Sequence, residues 1–141
     1  MPKENYFDEP VAERYDETSA EMFEPDVLEP AVRFLTQLAG DGPALEFGIG
    51  TGRIALPLSQ RGIRVHGIDL SSEMIDRLRA KPGSDSIDTT IGDIATIRVE
   101  GTFKLVYLVW NTIMNLTTQD EQVECFRNAA VHLEPGGHFV V

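Results

Sequence analysis

The chain has 141 residues, and its 12 Lys or Arg against 23 Asp or Glu give a formal net charge of −11 and a pI near 4.6. This length allows one hydrophobic core and is short for two ordinary domains, while the acidic surface repels phosphate backbones and anionic lipids. These numbers argue against a nucleic-acid or membrane partner and favour a small molecule.

The first residues and the single cysteine bear on the cellular compartment. Residues 1–10, MPKENYFDEP, carry acidic side chains and no apolar h-region, unlike a secretory or transit peptide. The longest apolar run, residues 105–110, is too short to cross a bilayer. Cys125 has no second cysteine to pair with, and we expect it to be a small buried side chain on a helix. Together these features predict a cytoplasmic protein.

Helices are predicted in front of the first strand. Residues 1–24 mix aromatic and acidic side chains, and residues 26–39 follow a proline with apolar side chains at helical spacing, Phe34 among them. We therefore expect an N-terminal helical segment, residues 1–42, in front of a core that spans residues 43–141.

The core begins with residues 44–53, ALEFGIGTGR, a short apolar run that leads into glycines at alternate positions. These are Gly48, Gly50 and Gly52. Glycine accepts positive φ and has no Cβ to keep a ligand away from the backbone, so the pattern predicts a strand that ends in a ligand-binding turn. A helix should start at Arg53, and Pro57 should bend it.

Strands and helices then alternate to the end of the sequence. Strands are predicted at residues 63–69, 87–91 and 103–109, and a turn at Pro135-Gly136-Gly137 leads into a fifth. A helix capped by Ser71 or Ser72 should bury Met74, Ile75 and Leu78, and a helix over 118–133 should turn Val123, Phe126, Ala130 and Leu133 inward. This alternation predicts a mostly parallel sheet with helices on both faces, a three-layer α/β/α fold.

Polar or glycine residues follow four of these strands. They are Glu46 to Gly52, Asp69, Asp93, and Trp110 to Asn115. Parallel strands end at one edge of their sheet, and ligands of such folds bind at that edge, so the sequence predicts a single site there.

The glycine spacing separates several kinds of nucleotide-binding turn. A dinucleotide turn needs G-x-G-x-x-G, and here Arg53 stands at the third glycine position; no Gly-Lys-Ser/Thr follows either, so a phosphate-binding P-loop is excluded. The pattern E-x-G-x-G-x-G resembles the first motif of the class I S-adenosylmethionine-dependent methyltransferases. The resemblance covers residues 43–141 and includes LEFGIGTGR, GIDLSSEMI, GDI and LEPGGHFVV. It implies a Rossmann-like fold, S-adenosylmethionine as cofactor, no metal, and a small-molecule methyl acceptor.

The resemblance also implies a role for each residue at the sheet edge. Gly48, Gly50 and Gly52 would contact the methionine part of the cofactor through their backbone, and Glu46 would order the turn or hold the ammonium group. Asp69 would accept hydrogen bonds from both ribose hydroxyls. Leu70 and Met74 would pack on the adenine ring, and Asp93 with Ile94 would reach its amino edge.

Residues near the mouth of the site complete the set. Trp110 and Asn111 would contact the cofactor, unless Trp110 is part of the core. In this family the segment before the first strand often covers the site, so residues 1–42 are expected to act as a lid whose Tyr15, with Tyr6 as a further candidate, contacts the methionine part or the acceptor, unless these rings only pack against the core. Methyl transfer from a sulfonium is an in-line displacement that positioning can largely catalyse, and Asn111, Thr112 and Asn115 are the candidates for it. His66 fits a hydrogen-bonded core imidazole and His132 the C-terminal end of a helix dipole, so neither is expected to be a catalytic base.

Two other functions remain open at this point, an NAD(P)-dependent oxidoreductase domain and a non-catalytic module that binds the cofactor. The methyltransferase sheet normally has seven strands, whereas this sequence stops at Val141, inside the fifth. We therefore expect a fragment of a longer enzyme whose own activity is uncertain, with an open fifth-strand edge that favours a homodimer or a swapped assembly.

Overall fold

A computed structural model of the chain describes residues 25–108 and 118–141. Helices and strands alternate along these residues. In chain order they are α1 (Pro25–Ala39), β1 (Ala44–Phe47), α2 (Ala55–Gln60), β2 (Val65–Asp69), α3 (Ser72–Arg79), a 3-10 turn (Ser84–Ser86), β3 (Asp88–Ile91), β4 (Phe103–Tyr107), α4 (Gln119–His132) and β5 (Leu133–Val140).

The five strands form one sheet in the order β3-β2-β1-β4-β5, and all neighbouring strands are parallel. The central strand, β1, is short and buried at every residue, as a strand covered on both faces should be. Its register places Glu46 between Gly67 of β2 and Tyr107 of β4. The predicted parallel sheet is thus confirmed, and its strands end at one common edge.

Apolar side chains cover both faces of the sheet. One cluster joins α1, α2 and Leu78 of α3 to the face of β1 that carries Ala44. The other joins α4 to the opposite face, which carries Leu45 and Phe47. This arrangement confirms the three-layer α/β/α fold. None of the helices in the described parts of the chain is long and apolar enough to cross a membrane.

Two details of the predicted N-terminal half are wrong. Helix α2 begins at Ala55 and not at Arg53, so Pro57 lies in its first turn, where the missing N–H costs no intrahelical hydrogen bond. Phe34 of α1 is largely exposed, while Val32, Leu35 and Ala39 are the residues that this helix buries.

The predicted inward face of α4 is wrong at three of its four residues, whereas Leu133 is partly buried against the α4-side cluster, as predicted. The helix buries Cys125, Asn128, Ala129 and His132, whereas Val123, Phe126 and Ala130 are exposed. Two of the buried side chains are polar, and apolar periodicity therefore points to the wrong side of the helix. Cys125 is buried, as expected.

The last strand starts earlier than the sequence predicts. Strand β5 follows α4 directly at Leu133, and the proline and glycines expected to precede it lie inside it. They occupy an irregularity in the pairing with β4, between the pairs Phe103 with Leu133 and Leu105 with His138. A bulge of this kind admits Gly136, whose φ is 83°.

Candidate functional site

The glycine turn is anchored to the end of β2. Gly48, Gly50 and Gly52 have φ values of 74°, 57° and 84°, in the left-handed region that side chains with a Cβ rarely adopt. The N–H groups of Gly48 and Ile49 donate to the carbonyl of Ile68 at 2.7 and 3.1 Å. These bonds hold the turn beside the neighbouring strand end, where a ligand at the sheet edge would meet it.

Two of the glycines also make room for α3. A Cβ on Gly50 would lie 3.0 Å from Cε of Met74, and a Cβ on Gly52 would overlap Leu78. The N-terminal end of α3 is capped by Ser71, whose hydroxyl accepts the Met74 N–H at 3.2 Å. The predicted cap and buried face of this helix are confirmed, and the helix packs directly under the turn.

A third glycine, Gly67, supports the turn from inside β2. The side chain of Ile49 lies where a Cβ on Gly67 would be, with Ile49 Cβ only 2.6 Å from that position. Sequence reasoning missed this contact, although a glycine inside a strand is a known sign of close approach by another part of the chain.

Asp69 joins the glycine turn to the start of α3. Its Oδ2 accepts the Gly50 N–H at 2.8 Å and its Oδ1 accepts the Ser71 N–H at 2.9 Å. Burial raises the pKa of this carboxyl, and backbone hydrogen bonds from Ser71, Gly50 and Leu70 partly oppose the rise. An ionised carboxylate has about four lone-pair positions, so both oxygens can accept further donors.

Glu46 lies one strand away, beneath the glycine turn. Its Oε1 accepts a hydrogen bond from the Tyr107 hydroxyl at 2.9 Å, and the two side chains are 4% and 0% exposed. Burial raises the pKa of Glu46 well above its usual value, while Tyr107 and Arg53 act to lower it and Asp69 to raise it. The site thus contains two buried carboxyls whose ionised forms are costly unless a cation is nearby.

The residues that follow β3 lie beside Asp69 at the same edge of the sheet. The Gly92 N–H donates to the Asp69 carbonyl at 2.9 Å, and Asp93 Oδ1 accepts the Ala95 N–H at 2.9 Å in a local turn. Ile94 is buried on the α4 side of the sheet. Asp93 and Ile94 therefore follow directly on the strand beside Asp69.

Two polar side chains of α4 hold the segment after β3. The Asn128 amide donates to the carbonyls of Ile94 and Ile97, both at 2.8 Å, and its own Oδ1 is buried without a hydrogen-bond partner among the described residues. His132 Nε2 accepts the Val99 N–H at 3.1 Å, and Nδ1 donates to the Asn128 carbonyl at 2.7 Å. His132 lies in the last turn of α4, as predicted, and these contacts hold its ring in place; sequence reasoning missed Asn128.

The remaining candidates divide into two groups. His66 is hydrogen-bonded to the Thr90 hydroxyl at 2.8 Å and partial burial lowers its pKa, so the expected hydrogen bond is confirmed, although the ring is half-buried and not in the core. Tyr6, Tyr15, Trp110, Asn111, Thr112 and Asn115 lie outside the described residues. In residues 25–108 and 118–141, no group of three or more His, Cys, Asp or Glu could hold a metal ion.

Comparison with known proteins identifies the family of this chain. A family model described as a methyltransferase domain matches residues 44–137. A curated relative, the cypemycin N-terminal methyltransferase of Streptomyces sp, is 29% identical over 130 residues, which cover 87% of this chain and 53% of that protein. The putative methyltransferase YqeM of Bacillus subtilis is 29% identical over 100 residues, 68% of this chain and 40% of that protein. This chain thus spans about half the length of the curated relatives it matches.

Solved structures agree with the family. The CcbJ methyltransferase of Streptomyces caelestis superimposes with a TM-score of 0.83 at 38% identity, over 92% of this chain and 54% of that one. The glycopeptide N-methyltransferase MtfA, solved with S-adenosyl-L-homocysteine, gives a TM-score of 0.71 at 26% identity, over 80% and 51%. Because the family model matches well over half of the chain, from β1 into β5, this protein belongs to the methyltransferase domain family.

Proposed function

We propose that this chain is the cofactor-binding part of an S-adenosylmethionine-dependent methyltransferase that acts on a small molecule. The observation that carries the proposal is the 2.8 Å hydrogen bond between the Gly50 N–H and the Asp69 carboxylate. It joins the glycine turn to the acidic strand end in a member of the methyltransferase family.

The residues at the sheet edge suit this cofactor. Asp69 is a buried carboxyl with acceptor capacity left for two hydroxyl donors, as on a ribose. Glu46 is a second buried carboxyl, and its raised pKa means that a ligand cation would favour its ionised form. A ligand with a sulfonium and an ammonium group and no phosphate suits this acidic edge better than a dinucleotide would.

Each residue then has a proposed part in holding the cofactor. The backbone of Gly48, Gly50 and Gly52 would bind the methionine part, with Glu46 at its ammonium group. Leu70 and Met74 would pack on the adenine ring, and Asp93 with Ile94 would bind its amino edge. The bound sulfonium supplies an activated methyl group, so the protein's contribution is to orient the reactants and exclude water.

The parts of the site outside the described residues keep their predicted roles. We propose that residues 1–42 cap the site and bring Tyr15 to the cofactor. Trp110 and Asn111 would line its mouth, and Asn111, Thr112 and Asn115 would position the acceptor. Support for a small-molecule acceptor comes from the acidic chain and from relatives such as the glycopeptide N-methyltransferase.

The proposal also covers the cellular location and the oligomeric state of the protein. A cytoplasmic location is supported by Cys125, a buried thiol in a sequence with no second cysteine. A homodimer or swapped assembly is supported by β5, which forms one edge of the described sheet.

The test is calorimetric titration with S-adenosylmethionine and its demethylated product, followed by acceptor screening. The change Asp69→Ala should weaken both ligands by about 1.5–3 kcal/mol, because it removes hydrogen bonds to a charged acceptor. The change Asp85→Ala, at an exposed carboxylate in the 3-10 turn, is the matched control and should leave affinity unchanged.

Other outcomes identify the competing functions. Binding of NAD without binding of S-adenosylmethionine would support an oxidoreductase domain. Cofactor binding with no acceptor methylated, even by a longer form of the chain, would support a non-catalytic module. Unchanged affinity in Asp69→Ala would remove the ribose assignment.

A further inference from the structure

The register of β1 and β4 brings two polar side chains together inside the sheet. Glu46 and Tyr107 are directly paired neighbours, and the Tyr107 hydroxyl donates to Glu46 Oε1 at 2.9 Å. They are 61 positions apart in the sequence, and nothing in the glycine motif indicates this contact. The pair lies at the carboxyl edge of the sheet, where the glycine turn begins.

The Tyr107 ring and its hydroxyl serve different purposes. The ring is part of the apolar cluster that joins α1 to the sheet, with Leu35 and Ala39 of α1 in the same cluster. A phenylalanine ring would fill the same space, so packing does not explain why the residue carries a hydroxyl. The hydrogen bond to Glu46 explains it, because a buried hydroxyl without a partner would be costly.

We propose that Tyr107 is a positioning residue for cofactor binding. Its hydroxyl fixes the Glu46 carboxylate through Oε1 and directs Oε2 to the ammonium group of the methionine part. This inference rests on the proposed function and on the role of Glu46 within it. It adds a residue outside the glycine motif, and the role acts through Glu46 without contact to the reacting atoms.

The charges around Glu46 support this role. Arg53, which follows the glycine turn, and Tyr107 favour its ionised form, whereas burial and Asp69 of β2 oppose it. Among the described residues, Arg53 and Asp69 are the charged groups that act on Glu46, and the side chains of α1 and α2 in the same cluster are apolar. The pKa of Tyr107 is itself raised well above its usual value by burial and by Glu46, so the hydroxyl remains a donor at neutral and mildly alkaline pH.

The change Tyr107→Phe separates positioning from packing. It removes the donor and should raise the pKa of Glu46 further, so that less of the carboxylate is ionised at neutral pH. We expect S-adenosylhomocysteine to bind about tenfold more weakly at neutral pH, the size of one lost hydrogen bond to a charged group. This loss should diminish as the pH rises, because the carboxylate then ionises without help from the hydroxyl.

A second ligand provides the internal control. 5′-Methylthioadenosine contains the same nucleoside without the amino-acid part, and its affinity should change by less than about twofold. Thr90→Val is the matched control variant, because it removes another side-chain hydrogen bond of the sheet, the 2.8 Å contact with His66. It should leave both affinities unchanged.

The outcomes are distinct. Selective, pH-dependent loss of S-adenosylhomocysteine binding supports the positioning role. Equal weakening of both ligands, or no weakening of either, overturns it while the proposed function stands. If the unaltered protein binds neither ligand, the proposed function and this inference fail together.

A second variant keeps the test decisive if Tyr107→Phe does not fold. Glu46→Gln retains an oxygen that can accept from Tyr107 but removes the charge that would attract the ammonium group. It should show the same selective loss of S-adenosylhomocysteine binding, now independent of pH. An equal effect on 5′-methylthioadenosine would contradict the inference.

Discussion

At the scale of one residue, Glu46 is proposed to aid cofactor binding, and its burial lowers the stability of the fold. Its carboxyl is buried in the sheet, where burial raises the pKa well above the usual value. At pH below the unfolded-state pKa, the carboxyl is protonated in both states and costs nothing. As the pH rises above that value, the unfolded chain releases the proton while the folded chain retains it, so the free energy of unfolding decreases until the folded-state pKa is reached.

The change Glu46→Gln should therefore stabilise the protein in a pH-dependent way. The variant should unfold like the unaltered chain near pH 4 and become relatively more stable as the pH rises. Each pH unit between the folded and unfolded pKa values adds about 1.4 kcal/mol. Denaturant unfolding over a pH series measures this difference. A gain that is the same at acid and neutral pH would show that the ionisation of Glu46 is not its source.

Gly67 and Ile49 illustrate a second effect at this scale, the close approach of a turn to a strand. The change Gly67→Ala should cost about 1–3 kcal/mol of folding stability through overpacking, because the new Cβ would overlap the Ile49 side chain. Displacement of Ile49 should also shift the glycine turn and weaken cofactor binding. Unfolding curves and calorimetry on one preparation measure both effects.

Gly62→Ala is the matched control for this prediction. Gly62 has a φ of 85° and open space around the Cβ position. The substitution should cost about 1–2 kcal/mol through backbone strain alone and leave cofactor affinity unchanged. Cofactor affinity reduced equally in both variants would mean that Ile49 does not transmit the effect.

At the scale of elements, α4 stabilises the segment that carries Asp93 and Ile94. Asn128 and His132 lie one turn apart on this helix and satisfy backbone groups of Ile94, Ile97 and Val99. A segment without regular structure needs such partners, because an unpaired buried backbone group costs as much as a lost hydrogen bond. The helix is thus connected to the proposed adenine pocket through its polar side chains.

The change Asn128→Ala should weaken both the fold and the pocket. Each buried carbonyl that loses its donor should cost about 1–3 kcal/mol. Hydrogen exchange should be faster at the amides of residues 95–99 than in the unaltered protein, and cofactor affinity should fall. Arg127→Ala is the neighbouring control, since its exposed ion pair with Glu124 contributes within about 0.5 kcal/mol. Normal protection of residues 95–99 in Asn128→Ala would contradict the connection.

At the scale of the molecule, β5 forms one edge of the described sheet. Strand β5 pairs with β4 on one side, and among the described strands nothing pairs with its other side. Phe126 of α4 and Phe139 of β5 lie next to this edge with their ring centroids 5.6 Å apart. An unpaired strand edge beside apolar side chains favours pairing with another chain.

Light scattering should therefore find the 141-residue chain as a dimer. Val141→Lys places a charge at an exposed position just beyond β5, where the side chain is 63% exposed, and should shift the chain towards the monomer. Val131→Lys, at a position 53% exposed on α4, is the matched control and should not. A stable monomer of the unaltered chain would count against the assembly.

The order of the elements and the edge at which the site lies can be predicted from the amino-acid sequence. Alternating strand and helix patterns predict a parallel sheet, and parallel strands end on one side, so Glu46, Gly50, Asp69 and Asp93 could be assigned to a common edge. The spacing of the glycines and the preceding Glu46 also distinguished this turn from a dinucleotide or phosphate turn. These features are local, and local patterns are directly visible in a sequence.

Which side chains contact one another depends on how the strands pair and how the helices are rotated against the sheet. The contacts of Glu46 with Tyr107, and of Asn128 with Ile94, depend on strand register and helix rotation between residues far apart in the chain. The buried face of α4 differs from the predicted one for the same reason, because a polar side chain is buried there when a distant segment supplies its hydrogen-bond partner. The glycine turn is thus recognisable from the sequence, whereas the residues that hold it and tune its charge emerge only when the strands are paired.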